Sequence, residues 1–315
     1  MRNAAVTAAK LALGAAIIFY LIYFVGLGQI YKTLLEINLA YLPLIIAVFT
    51  FSVAMRALNF KVLLQPHEKG RKISLWKLAW ISIASWAAGM FTPGKLGEFS
   101  SILLLKKEGL DVGASAAVSL INKIYVTAAV GIFAVLGVLK FLGPKEILTE
   151  IFLSTGVVIA MIIMLTVPSY ILFTNQQIRQ NIFGRFLNKY ENQFAGFANE
   201  FASYLIKRKR LLFYSLLLNI AWIAVSSWLF VLAFAAVGQQ VGFIDVMLIN
   251  SIGTTTSFIP LTIGGTGLRE ASALAFFSKL GISNTTILAS HLIIAAVSYT
   301  LAGLTALLFL ARKNR

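Results

Sequence analysis

Phe91-Thr92-Pro93-Gly94-Lys95-Leu96-Gly97-Glu98 breaks an otherwise apolar stretch with a proline, two glycines and two opposite charges. A second break of the same kind runs Pro260-Leu261-Thr262-Ile263-Gly264-Gly265-Thr266-Gly267-Leu268-Arg269-Glu270. Pro93 and Pro260 preset turns, while Gly94, Gly97, Gly264, Gly265 and Gly267 allow close approach of backbone. Neither flanking region, 76–105 or 245–279, fits one straight helix. Eleven residues after Glu98 comes Gly109-Leu110-Asp111, and eleven after Glu270 comes Gly281-Ile282-Ser283.

Around the breaks the chain is apolar enough to belong in a bilayer. Of its 315 residues, 59% are hydrophobic and 12% charged, too few charges to cover the surface of a soluble domain. The mean hydropathy is +0.87. Runs near the roughly 20 residues needed to cross a ~30 Å hydrocarbon core fall at about 5–27, 40–64, 112–139, 147–173, 211–237 and 284–310. The first is too long for the core of a cleavable signal and reads as a span that stays. Cysteine is absent, and His67 and His291 stand far apart, so neither thiolate chemistry nor a metal site is expected.

The excess of 27 Lys+Arg over 11 Asp+Glu points to loops that obey the positive-inside rule and touch anionic headgroups, not to nucleic acid. Lys69, Arg71, Lys72 and Lys77 follow the second span, Lys207-Arg208-Lys209-Arg210 precede the fifth, and Arg312, Lys313 and Arg315 close the chain. Both termini are therefore expected in the cytoplasm, with the chain in the cytoplasmic (inner) membrane. On that count region 76–105 begins and ends inside, and region 245–279 begins and ends outside. Each is expected to be a re-entrant helical hairpin. The expected fold is an all-α polytopic membrane protein, a single domain over 1–315 with about six full spans and two hairpins. Its halves, about 40–140 and 211–310, form inverted repeats, an arrangement common in secondary transporters. Segment 176–206, with an aromatic or aliphatic residue every three or four positions, reads as an amphipathic helix on the cytoplasmic interface.

Charges inside a membrane need a partner or a task. The candidates for substrate binding are Arg56, Lys95, Glu98, Lys123, Arg269 and Glu270. The half-helix after each break is expected to aim its N–H groups at a cavity, where they would add to the cations in holding phosphate. Glu98 and Glu270 read either as proton carriers or as ion-pair partners. His291 is a third candidate for a proton relay, against the plainer reading of a hydrogen-bonded core histidine. No cofactor, metal or catalytic residue is expected.

At these residues the chain resembles the flippase-like membrane region of lysylphosphatidylglycerol synthetases. The resemblance is carried by Pro93-Gly94-Lys95-Leu96-Gly97-Glu98 with Lys106-Lys107-Glu108-Gly109, by Pro260 through Glu270 with Leu280-Gly281, and by Arg56. It spans about residues 5–310. In the multidomain relatives this region is thought to flip aminoacylated phosphatidylglycerol made by a separate soluble domain. The resemblance thus implies translocation without synthesis for these 315 residues. Many members carry Glu-Arg where this chain has Asn122-Lys123, an Arg near His291, and an Arg near Ser100 or Ser101, so headgroup preference is open. The expected function is translocation of a lipid with an anionic phosphate headgroup: an anionic phospholipid, an aminoacyl-phospholipid or a polyprenyl phosphate. The rivals are an intramembrane lipid-phosphate transferase with Glu98 or Glu270 as base, a scaffold for a separately encoded lipid-modifying enzyme, and conventional solute transport. A homo-oligomer is compatible with all of them.

Overall fold

The computed structural model describes residues 16–142, apart from 18, 22 and 24, and residues 191–313. The expected span at 147–173, much of the one at 5–27, and the first half of the amphipathic segment lie outside the described residues. The described residues form helices joined by turns, with one isolated antiparallel bridge between Pro93 and Ile263. Among the described residues, four helices are long and apolar enough to cross a membrane: α2 (Tyr41–Leu63), α6 (Val112–Phe141), α8 (Lys209–Ala236) and α11 (Asn284–Lys313). Their bounds lie close to those read from the apolar runs.

Between α2 and α6 the chain forms α3 (Glu68–Lys72), α4 (Leu75–Met90), a 3-10 turn (Leu96–Phe99) and α5 (Ser100–Lys107). Ser74 caps α4 by accepting the N–H of Lys77. With 16 residues, α4 rises only about 24 Å, short of a full crossing. The following arm turns back along it. Lys77 Nζ at the start of α4 pairs with Glu108 Oε2 at the end of α5, 2.7 Å away, and Gly89 near the end of α4 faces the Glu98 side chain. Between α8 and α11 the chain repeats the pattern with α9 (Phe243–Thr256) and α10 (Leu268–Phe277). Gly109 and Gly281, the glycines eleven residues after Glu98 and Glu270, both have positive φ (94° and 75°) and end their arms alike.

The two pairs sit at opposite ends of α6. The first opens beside the N-terminus of α6, reached through the short turn at Gly109. The second opens beside its C-terminus, where Asp245 at the start of α9 pairs with Lys140 and Lys279 Nζ donates to the Phe141 carbonyl at 3.3 Å. Their tips meet part-way along. The Gly264 N–H donates to the Thr92 carbonyl at 3.1 Å beside the Pro93–Ile263 bridge. Two apolar cores flank this junction. One joins Phe60, Leu63, Leu78, Leu105, Val118 and Ile121; the other joins Phe234, Val246, Ile249, Phe277 and Ile287 with their neighbours. The polar residues collect between them.

Two elements lie outside the long helices. The expected outer loop at 28–39 instead contains a short helix, α1 (Leu27–Leu35), which starts at Gly26 (φ 93°) and packs against α11. Helix α7 (Glu191–Lys207), the described half of the amphipathic segment, packs against α6 and does not merely rest on a surface. Its Tyr204 is fully buried, donates its hydroxyl hydrogen to the Leu63 carbonyl, and lies 3.2 Å from His67 Nε2. Glu200 reaches both His67 (3.7 Å) and Arg208 (2.8 Å). Burial holds the His67 ring below its ordinary pKa of 6.5, against the pull of Glu200. The unfolded chain binds the extra proton first, so the contribution of the neutral ring is full above pH 6.5 and is lost as pH falls through the lowered value. The thermal midpoint in detergent should therefore drop on acidification below pH 6.5, and His67→Gln should remove that component. A midpoint curve unchanged by the substitution would contradict the sign.

Candidate functional site

At the junction of the tips lies a cavity of about 130 Å³ lined by α2, α4, α8, α9, α11 and both breaks. A smaller one of about 80 Å³ adjoins it, sharing Lys95 and Arg269 as walls and adding Glu270, His291 and Tyr299. The larger space is ample for a hydrated phosphate group.

The first break supplies Lys95 and Glu98. Lys95 is the one non-glycine with positive φ among the described residues (φ 56°, ψ 29°). A long side chain in the left-handed region is unusual, and such outliers concentrate at functional sites. Its ammonium, only 9% exposed as a residue, sits 5.3 Å from the centre of the Phe258 ring with no ion pair or hydrogen bond among the described residues. Glu98 differs: its Oε2 accepts from Lys123 Nζ of α6 at 2.8 Å, and Lys123 lies 4.3 Å from the same Phe258 ring.

The second break supplies Arg269 and Glu270. Arg269 Nη2 donates to Asn250 Oδ1 of α9 at 3.0 Å, and the guanidinium covers the Phe230 ring at 4.9 Å. Its Nε is buried without a hydrogen-bond partner among the described residues. Glu270 turns back to accept the Gly267 N–H at 2.8 Å. Arg56 of α2 completes the wall, stacked on Trp222 at 5.4 Å and without a carboxylate within ion-pair distance among the described residues. Cation–ring contacts of this kind partly replace lost hydration. The ring contacts themselves use no hydrogen-bond donors, so those of Lys95 and the Nε–H of Arg269 stay open among the described residues.

The structure thus brings Arg56, Lys95, Glu98, Lys123, Arg269 and Glu270 to one place, with Pro93, Gly94, Gly97, Pro260, Gly264, Gly265 and Gly267 shaping the junction. It narrows the expectation that half-helix N–H groups face the cavity. The Gly97 N–H donates to Thr92 Oγ1 at 2.6 Å, those of Leu96 and Glu98 to Pro93 and Lys95 carbonyls, that of Gly264 to Thr92 and that of Gly267 to Glu270. These donors are spent on holding the tips, so the side-chain cations face the space. His291 Nδ1 lies 2.9 Å from the Ile287 carbonyl and its ring lies against Phe230. That contact suits a core histidine, although the ring also borders the smaller cavity. Asp245, in the first turn of α9, pairs with Lys140.

Asn250 and the rings of Trp222, Phe230 and Phe258 were not singled out by the sequence. An asparagine in an apolar helix is itself a signal, since it must find a partner. The aromatic platforms carry none in a chain with 24 Phe.

Residues 7–306 match the family described as the lysylphosphatidylglycerol synthase TM region. The chain belongs to that family. It is also similar to a UPF0104 membrane protein of Methanothermobacter thermautotrophicus, 22% identical over 330 residues that cover 95% of this chain and 92% of the relative. The family assignment makes this a membrane protein of several apolar helices, in agreement with the four long helices described above.

Proposed function

We propose that this family member translocates a lipid with an anionic, phosphate-containing headgroup across the cytoplasmic membrane. The observation that carries the reading is convergence: Lys95 from one tip, Arg269 from the other and Arg56 from α2 line one cavity beside the contact between the tips. Arginine forks and an ammonium with open donors match phosphate oxygens. In this reading α4–α5 and α9–α10 are re-entrant hairpins dipping from the inner and outer faces, within inverted repeats whose termini lie in the cytoplasm. Their broken backbones are then at a depth where only protein or a water-lined cavity makes them tolerable. The headgroup binds between the tips while the chains stay in the bilayer, and separation of the tips toward one face and then the other carries it across.

Two contacts favour translocation over an intramembrane transferase. A general base must aim a carboxylate oxygen at substrate, whereas Glu98 Oε2 is turned to Lys123 and Glu270 Oε2 to the Gly267 N–H.

The test is a transbilayer assay in proteoliposomes with labelled phosphatidylglycerol and a labelled polyprenyl phosphate, each with and without a proton gradient. Transport of at least one lipid is expected. Arg269→Ala should slow it about 100-fold, roughly the 3 kcal/mol of a charge-assisted contact, while the folded fraction stays unchanged. No movement of any phosphate lipid by folded protein would end the translocase reading. Formation of a new lipid product in detergent would replace it with the transferase.

A further inference from the structure

The charges at the junction do not cancel. Four cations gather there, Arg56, Lys95, Lys123 and Arg269, against two carboxylates, Glu98 and Glu270. With Lys95 counted as charged, as it would be against a bound anion, and His291 as neutral, the difference among the described residues is two positive charges. Each carboxylate is already committed through one oxygen, Glu98 Oε2 to Lys123 and Glu270 Oε2 to the Gly267 N–H. The other acceptors are weak. Asn250 Oδ1 already accepts from Arg269, and Ser52, Ser82 and Ser226, which donate to their own helix carbonyls, offer only neutral hydroxyl oxygens.

We infer that the headgroup carried between the tips is a phosphate monoester bearing two negative charges, not a phosphodiester or an aminoacylated headgroup. The inference rests on the translocase reading and narrows it. When the tips close over a bound headgroup, any charge left over must sit in a dry, low-dielectric space where it is most costly. A monoester, whose second pKa is near 6, cancels the two charges at neutral pH. A phosphodiester leaves one over, and an ammonium-bearing aminoacyl ester of it leaves more. The discrimination should therefore show in the rate of crossing, because the open cavity is hydrated and screens the excess.

Two lipid classes carry this chemistry, phosphatidate and polyprenyl monophosphate. Both would be followed in proteoliposomes beside phosphatidylglycerol and lysylphosphatidylglycerol. At pH 7.5 at least one monoester should cross ten or more times faster than phosphatidylglycerol, and which one it is names the source. At pH 5, where the monoester is singly charged, that ratio should collapse toward one. Phosphatidylglycerol does not titrate between these pH values and so reports any change in the protein itself. Lys95→Gln, which removes one charge, should lower the monoester-to-diester ratio about tenfold at pH 7.5. Arg56→Gln should do the same from a different helix, which covers a failure of the first variant to fold. Equal or faster crossing of phosphatidylglycerol or lysylphosphatidylglycerol at pH 7.5 would overturn the inference and leave the translocase reading standing. Absence of crossing by all four lipids would overturn both.

Discussion

Gly265→Ala is expected to destabilise the protein by about 3 kcal/mol or more, seen as a large fall in the thermal midpoint in detergent. Two penalties add at this position. Its φ of +77° is one that L side chains rarely adopt, and a Cβ would lie 2.2 Å from Ser257 Cβ and 2.4 Å from Ser257 Cα. Two other glycines separate the penalties. Gly281 has nearly the same dihedral (φ +75°) but open space around it, so Gly281→Ala should cost only about 1 kcal/mol of backbone strain. Gly97 has no positive φ, yet its Cβ would come within 2.1 Å of the Ala88 carbonyl oxygen, so Gly97→Ala isolates the steric part. The expected order of damage is Gly265 or Gly97 well above Gly281. A midpoint for Gly265→Ala no lower than that of Gly281→Ala would mean that the second tip is not packed as described.

Breaking the Glu98–Lys123 pair should rank next. Its side chains are 17% and 7% exposed and 2.8 Å apart. Removing one partner strands the other in a low-dielectric interior, typically at about 3–5 kcal/mol, whereas replacing both with neutral groups of similar size is often close to neutral. Glu98→Gln and Lys123→Met should each lower stability strongly, and the double variant should recover most of the loss. A coupling of about 2 kcal/mol or more in the double-mutant cycle is expected. Additive effects would show that Glu98 is not held as an ion-pair partner and would return it to the role of a proton carrier.

Much of this was legible because the signals are local. The four long helices follow from unbroken apolar runs, and the tips follow from Pro93, Gly94, Pro260, Gly264 and Gly265, residues whose backbone preferences act wherever they occur. Arg56, Lys95, Lys123 and Arg269 stood out because charge is rare in such segments. What was illegible is relational. That Thr92 spends its carbonyl on Gly264 depends on the two tips meeting across more than 160 residues of chain, and with the local bond from the Gly97 N–H to its hydroxyl oxygen it turns N–H groups read as anion donors into struts. The pairing of Glu98 with Lys123, left open against proton transfer, likewise needed the placement of α6. The aromatic platforms under the cations belong to residues that look like any others on an apolar helix.

The translocation mechanism depends above all on two helix pairs that approach the cavity from opposite faces of the membrane. Because the chain has no cysteine, single substitutions report only the position chosen. Trp76→Cys and Lys107→Cys mark the mouth of the first pair, and Ile244→Cys and Lys279→Cys mark that of the second. Labelling right-side-out and inverted vesicles with a membrane-impermeant thiol reagent reads the face of each. The expected result is that Trp76→Cys and Lys107→Cys react only from the inner face, and Ile244→Cys and Lys279→Cys only from the outer. If the two members of either pair react from opposite faces, that pair crosses the membrane and the re-entrant arrangement is wrong; if all four react from one face, the tips do not approach from two sides.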